Sequence, residues 1–256
     1  MTEIKEKEIV NFKNVWAYYN HHPALQDVNL SIYEKDFLGI IGPNGGGKTT
    51  LLKTMLGLLK PQRGKVTVLG KTPSESRSEI GYVPQKSSFD KNFPISVWQV
   101  ALMGLYGETG LFRHYSPAAK KKAEEALEKV SMLEHRNRQI GELSGGQQKR
   151  VFIARALAST PKLMLLDEPM ESVDPKVQGE LYELLKDLQQ EMAIVLVSHD
   201  ISAISVYVDK IACLNQTLVY HGGKEISHEV LEGTYHCPIH LIAHGTVPHR
   251  VLKEHP

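Results

Sequence analysis

The chain predicts an α/β fold, and three stretches carry that expectation. Residues 42–50, GPNGGGKTT, lie between an apolar strand-like segment, residues 37–41, and a helix-like TTLLKTMLGLL. KLMLLDEP (162–169) and AIVLVSHD (193–200) are apolar runs of strand length that end in polar or charged residues. Strands buried on both faces of a parallel sheet read this way. Residues 86–141 change character, with Val97, Val100, Ala101 and Leu105 at helical spacing, which predicts a mostly helical subdomain inserted into the core.

The glycine-rich stretch matches the phosphate-loop pattern G-x-x-x-x-G-K-[ST] through Gly42, Gly47, Lys48 and Thr49. Pro43, Asn44, Gly45 and Gly46 fill the variable positions, and Thr50 follows. Glycines let the backbone curl so that successive N–H groups face phosphate oxygens. The helix behind the loop adds its positive end. Lys48 is placed to reach the β- and γ-phosphates, and the Thr49 hydroxyl to ligate Mg²⁺. A nucleoside triphosphate is the expected ligand, and the core is expected to be a P-loop NTPase core.

Bulk properties narrow the class. With 256 residues the chain can bury a full core. Lys plus Arg total 30 and Asp plus Glu 29, so no strong field recruits nucleic acid. Two cysteines, Cys213 and Cys237, are too few for a disulfide framework and suggest a reducing compartment. The N-terminus MTEIKEKEIV lacks the apolar core of a signal peptide, and no apolar run approaches spanning length. The chain is expected to be soluble.

In order along the chain, EIVNFKNVWAYY and ALQDVNLSIY read as strands around the turn-like NHHP, an antiparallel β subdomain. Tyr19 ends the first; an aromatic there can stack on adenine, and it reads equally as an ordinary sheet tyrosine. IGYVPQ is a short strand ending in Gln85, which can bond Mg²⁺ or a water at the γ-phosphate or be a polar strand end. Ser116-Pro117 opens a charged amphipathic helix. Its lysines 120–122 face Glu124, Glu125 and Glu128 one turn on, so ion pairs on a solvated face are expected. ALMGLYGETGLF can be buried or offer a docking surface. In LSGGQQKR, Ser144 stands at a helix N-cap with Gly145, Gly146 and Gln147 behind it, a second open helix N-terminus for an anion. One chain does not easily bring both loops onto one phosphate; two chains packed head to tail can. Asp167 ends a buried strand, where a carboxylate is the usual Mg²⁺ partner, and Glu168 can orient an attacking water. Asp174 caps the next helix with Pro175 at its first position, and His199 follows a buried strand where the ligand crevice of such sheets lies.

Taken together, GPNGGGKTT, YVPQ, LSGGQ, LMLLDEP, SVD and SHD resemble the ATP-binding cassette (ABC) ATPases, over nearly the whole chain to about residue 221. The resemblance is to the separate ATPase subunit of a membrane importer. It implies Tyr19 on adenine, residues 42–50 on phosphates and Mg²⁺, and Gln85 as γ-phosphate and Mg²⁺ sensor. It also implies residues 144–147 on the partner's ATP, Asp167 on Mg²⁺, Glu168 as catalytic base, Asp174 as cross-dimer contact and His199 as switch. A homodimer would close around two ATP molecules, and hydrolysis would release the clamp to drive a separate membrane permease. The permease contact is expected within residues 86–115. Within the family, GPNGGGKTT, GYVPQ, VALMGLYGETGLFRHY and CLNQTLVYHG look like zinc and manganese uptake ATPases. That implies a metal-binding solute-binding protein as an indirect partner and a place on the cytoplasmic face of the cell membrane. A soluble ATP-gated scaffold and an exporter ATPase are the alternatives. Two departures stand out: Met170-Glu171-Ser172, where the family more often has small residues, and Glu34-Lys35-Asp36 in place of a glycine-containing turn.

Residues 222–256 form a tail rich in histidine. Pro238 can start a short helix placing His240 and His244 on one face, where Cys237, His240, His244 and His249 can supply the four ligands of a zinc site. A solvated histidine-rich tail is the alternative.

Overall fold

Alternating apolar residues pair β1 (Glu8–Tyr19) with β2 (His22–Tyr33) as antiparallel strands, with Phe12 opposite Leu30 and Val15 opposite Val28. Val28, Leu30 and Ile32 are buried, as the alternation requires. The computed structural model describes residues 7–20, 22–85, 93–110, 113–171, 173–223, 230, 233–234, 239–244 and 247–252. It divides into two units, residues 1–77 with 195–256 and residues 78–194.

The first unit continues from β2 into β3 (Phe37–Ile41), all five residues buried, through a turn that explains the missing glycine. Lys35 itself takes the left-handed conformation there, at φ 64°. The buried Asp36 carboxylate accepts the Tyr33 N–H at 2.9 Å and Lys210 Nζ at 2.7 Å, so the turn is held by an ion pair. After the phosphate loop comes α1 (Lys48–Met55), shorter than the apolar pattern suggests. Gly57, at φ 65°, ends it in the left-handed conformation common after helix ends, and the Leu58 N–H returns to the Lys53 carbonyl. β4 (Arg63–Val68) pairs antiparallel with β1 and completes a three-stranded sheet in the order β2-β1-β4.

The second unit opens with β5 (Ile80–Val83) and carries the helices α2 (Val97–Met103), α3 (Tyr106–Thr109), α4 (Pro117–Lys129) and α5 (Gly145–Leu157). Val97, Val100, Ala101 and Leu105 are buried. A Cβ on Gly104 would lie 1.9 Å from the Arg155 carbonyl oxygen, so α2 and α5 meet at van der Waals contact only with glycine there. Ser116 caps α4 by accepting the Ala119 N–H at 3.1 Å. The lysine run is ion-paired: Lys121 with Glu125 at 3.6 Å and Lys122 with Glu108 at 2.7 Å. β6 (Leu163–Asp167) is wholly buried and parallel to β5, with Val83 opposite Leu166. α6 (Pro175–Leu188) then buries Leu181, Tyr182, Leu185 and Leu188.

β7 (Ala193–Val197) and α7 (Ile201–Tyr207) lead to β8 (Lys210–Asn215), parallel to β3, and β9 (Thr217–Gly223), antiparallel to β8. Cys213 is buried, which pushes its thiol up to about 11, so it is inert. The tail corrects the expected helix. Residues 239–244 form β10 (Ile239–His244), paired antiparallel with β11 (Val247–Leu252). At roughly 3.3 Å per strand residue, His240 and His244 stand about 13 Å apart along the backbone, about twice their expected helical separation. A strand therefore stands where a short helix after Pro238 was expected. His249 pairs with Ile242, and Cys237 lies outside the described residues. No helix among the described residues is long and apolar enough to cross a membrane.

Candidate nucleotide-binding and hydrolysis site

In the first unit the phosphate loop leaves the end of β3 and is fastened from three sides. Lys48 Nζ, on a side chain from the first turn of α1, donates to the Gly42 carbonyl at 2.9 Å and the Pro43 carbonyl at 3.0 Å. The Gly46 N–H closes the curl onto the Pro43 carbonyl at 3.0 Å. Gly47 caps α1 at φ 92°, where a Cβ would lie 2.3 Å from the Ala24 carbonyl oxygen of β2. At Gly42 a Cβ would lie 1.9 Å from the Leu214 carbonyl oxygen of β8. Both glycines are therefore required by close approach as well as by conformation. Asn44 and Gly45 are exposed at the loop tip, Thr49 is half-buried and Thr50 buried.

Gln216, which sequence reading passed over, locks this arrangement. It sits in the β8–β9 turn at φ 58°, donates its N–H to the Gly46 carbonyl at 2.8 Å, and accepts the Gln26 N–H at 2.8 Å. The Gln26 side-chain amide also donates to Gln216 Oε1 at 2.7 Å. A glutamine in a polar turn far along the chain carries no local signal of this role.

Tyr19 is 43 % exposed at the end of β1, with Lys53 Nζ of α1 6.0 Å from its ring centroid. Its neighbour Tyr18 instead stacks on Trp16, with centroids 6.4 Å apart. The Tyr19 ring is thus exposed beside the helix that follows the phosphate loop. His199 is exposed just beyond β7, where the Ser198 N–H donates to the Ile40 carbonyl at 3.0 Å. It therefore stands at the carboxyl end of β3, from which the loop departs.

In the second unit, Asp167 ends β6 with only 2 % of its surface exposed. Burial first, and then the Asp167 charge, push the nearby Tyr82 phenol up to about 12. The unfolded phenol ionises from about pH 10. The folded protein thus binds more protons between pH 10 and 12, and stability, complete below that window, falls as pH rises through it. Tyr82→Phe flattens urea-unfolding stability over pH 10–12; an unchanged slope contradicts this origin.

Glu168 follows in the left-handed conformation, φ 48°, and accepts Gln85 Nε2 at 2.9 Å on Oε2. The structure thus joins two of the residues singled out in the sequence, although Gln85 and Glu168 lie on separate strand ends. Gln178 of α6, also unforeseen, holds the following turn by donating its amide to the Met170 carbonyl at 3.3 Å and the Val173 carbonyl at 2.9 Å. Asp174 caps α6 through the Lys176 N–H at 3.0 Å.

At the start of α5, Ser144 and Gln147 form a reciprocal capping box. Ser144 Oγ accepts the Gln147 N–H at 3.3 Å, and Gln147 Oε1 accepts the Ser144 N–H at 3.0 Å. Gly146 lies so near α6 that a Cβ would approach Val177 Cγ1 to 2.3 Å. The glycine lets the helix start pack directly against α6.

This combination of a phosphate loop, a buried strand-end carboxylate and a glycine-rich helix start agrees with comparisons to known proteins. A family model described as "ABC transporter" matches residues 25–171. The zinc uptake system ATP-binding protein ZurA of Listeria monocytogenes is 41% identical, the match covering 84% of this chain and 86% of that protein. The manganese transport system ATP-binding protein MntB of Bacillus subtilis is also 41% identical, over 88% of this chain and 92% of that one. A metal-chelate type ABC transporter solved in an inward-facing conformation superposes with a TM-score of 0.85 at 30% identity, covering 97% of this chain and 98% of the matched chain. A dimeric ATP-binding cassette in a post-hydrolysis state with ADP and Pi has a TM-score of 0.72 at 31% identity, over 86% and 100%. The chain belongs to the ABC transporter family and is an ATP-binding, ATP-hydrolysing subunit of that family.

Proposed function

We propose that this chain powers import of a divalent metal ion, zinc first and manganese next, through a separate membrane permease. The observation that carries this reading is the 41% identity, over more than four-fifths of the chain, to ATP-binding proteins of a zinc and a manganese system. The working state is a homodimer closed around two ATP molecules, on the cytoplasmic face of the membrane, with a metal-binding solute-binding protein delivering the ion to the permease. The dimeric structure that matches this fold supports the pairing.

Within that dimer, Tyr19 stacks on adenine and residues 42–50 wrap the phosphates, with Lys48 turning from the loop carbonyls to the phosphate oxygens. Residues 144–147 cap the partner's ATP from an open helix start, and Asp174 makes the cross-dimer contact. Thr49, Gln85 and Asp167 supply only oxygen donors of the hydroxyl, amide and carboxylate type, a hard set that fits Mg²⁺ rather than a soft metal. Mg²⁺ there would neutralise charge developing on the phosphates. Glu168 orients and deprotonates the attacking water, and His199 bonds the γ-phosphate and reports its loss.

The permease contact falls within residues 86–115. Phe93, Met103 and Tyr106 expose 57 %, 51 % and 51 % of their surfaces there, which suits an apolar docking surface. Radiolabelled zinc and manganese uptake in a strain deleted for this chain, with and without its return, tests the proposal. Loss of zinc uptake that the returned chain restores is expected; unchanged uptake of both ions overturns it.

A further inference from the structure

Glu171 departs from the small residues expected at its place, and the structure shows what it touches. The Gln85 side-chain amide lies 2.9 Å from Glu168 Oε2 and 3.3 Å from Glu171 Oε2. One NH₂ group carries two hydrogens, so it can serve both carboxylates at once. The turn that presents Glu171 is built rather than loose. The Glu171 N–H donates to the Glu168 carbonyl at 3.3 Å, and the Val173 N–H to the Met170 carbonyl at 3.3 Å. The Gln178 amide ties the same turn to α6. On the other side, the half-buried Lys149 of α5 lies within reach of the Glu171 charge, which opposes the downward push of burial on that lysine.

We propose that Glu171 is a positioning residue that latches the Gln85 amide against Glu168, in competition with the turn of Gln85 towards nucleotide. The proposal rests on the reading of Gln85 as the sensor and Glu168 as the base. While latched, Gln85 is committed to two carboxylates and must break both bonds before turning to a nucleotide. A small residue in place of Glu171 would leave it one. Because the latch competes with nucleotide for the Gln85 amide, its cost appears in ATP affinity rather than in turnover at saturation. It sets the nucleotide concentration at which the clamp begins to close.

The test is a double-mutant cycle on the full chain, reading the Kd of a fluorescent ATP analogue with Mg²⁺ in wild type, Glu171→Ala, Gln85→Ala and the double variant. Glu171→Ala lowers Kd about two- to fivefold, the upper part of the range for a solvent-screened charged contact, with kcat within about twofold. In the Gln85→Ala background the same substitution leaves Kd unchanged. Glu171→Gln, which keeps an acceptor oxygen, falls between wild type and alanine. Simple relief of repulsion between Glu171 and the phosphates would lower Kd equally in both backgrounds, and that result overturns the latch. An unchanged or raised Kd in Glu171→Ala overturns it as well. Failure of the base assignment is read separately, as retained turnover in Glu168→Gln.

Discussion

ATP turnover falls about a hundred- to ten-thousand-fold when Glu168 is replaced by Gln, the range for loss of a positioned general base. The substitution is close to isosteric. Glutamine keeps an oxygen that can accept the Gln85 amide, now 2.9 Å from Glu168 Oε2, so the strand end retains its local arrangement. The backbone at position 168, at φ 48°, is held by the turn that Gln178 anchors and does not depend on the carboxylate. Binding of ATP therefore survives while its hydrolysis does not. The variant accumulates as an ATP-bound dimer, detectable as a shift to twice the mass in size exclusion with light scattering. Turnover at the wild-type rate would remove Glu168 from the role of base.

Lys48→Ala fails one step earlier. The Lys48 ammonium is almost fully buried and gives two hydrogen bonds to the loop's own carbonyls, at 2.9 and 3.0 Å. Replacing it removes the cation proposed to reach the phosphates and also releases Gly42 and Pro43 from the curl. Charge-assisted hydrogen bonds contribute about 1.5–3 kcal/mol each, so ATP affinity drops at least about tenfold. Circular dichroism should show the fold intact, because Gln216 and Gln26 still fasten the loop to its neighbouring strands. Fluorescence titration with an ATP analogue reads the loss; unchanged affinity would mean that the loop's backbone donors alone hold the nucleotide. The two variants separate binding from chemistry: one keeps ATP and loses turnover, the other loses ATP.

Features governed by a few consecutive residues were legible in the chain. The helix caps Ser116, Ser144 and Asp174, the left-handed glycine of the phosphate loop and the buried strands β3, β6 and β7 all depend on short-range sterics and local hydrogen bonds. The sequence by itself determined the α/β class and the order of the motifs. It also marked Gln85, Asp167, Glu168 and His199 as residues at strand ends. Only the tertiary structure decided that Gln216 locks Gly46, that Gln178 holds the 170–173 turn, and that Gln85 bonds both Glu168 and Glu171. The Gln216 and Gln85 contacts join residues far apart in the chain, the Gln178 contacts reach back only from a helix to the turn before it, and in each case a polar side chain looks the same whether or not it has such a partner. The tail shows the same limit in backbone form. Residues four apart share a face in a strand as in a helix, so His240 and His244 fit either reading. Pairing with Val247–Leu252 decided for the strand, because register with a partner segment, and not local periodicity, closes the hydrogen bonds of a hairpin.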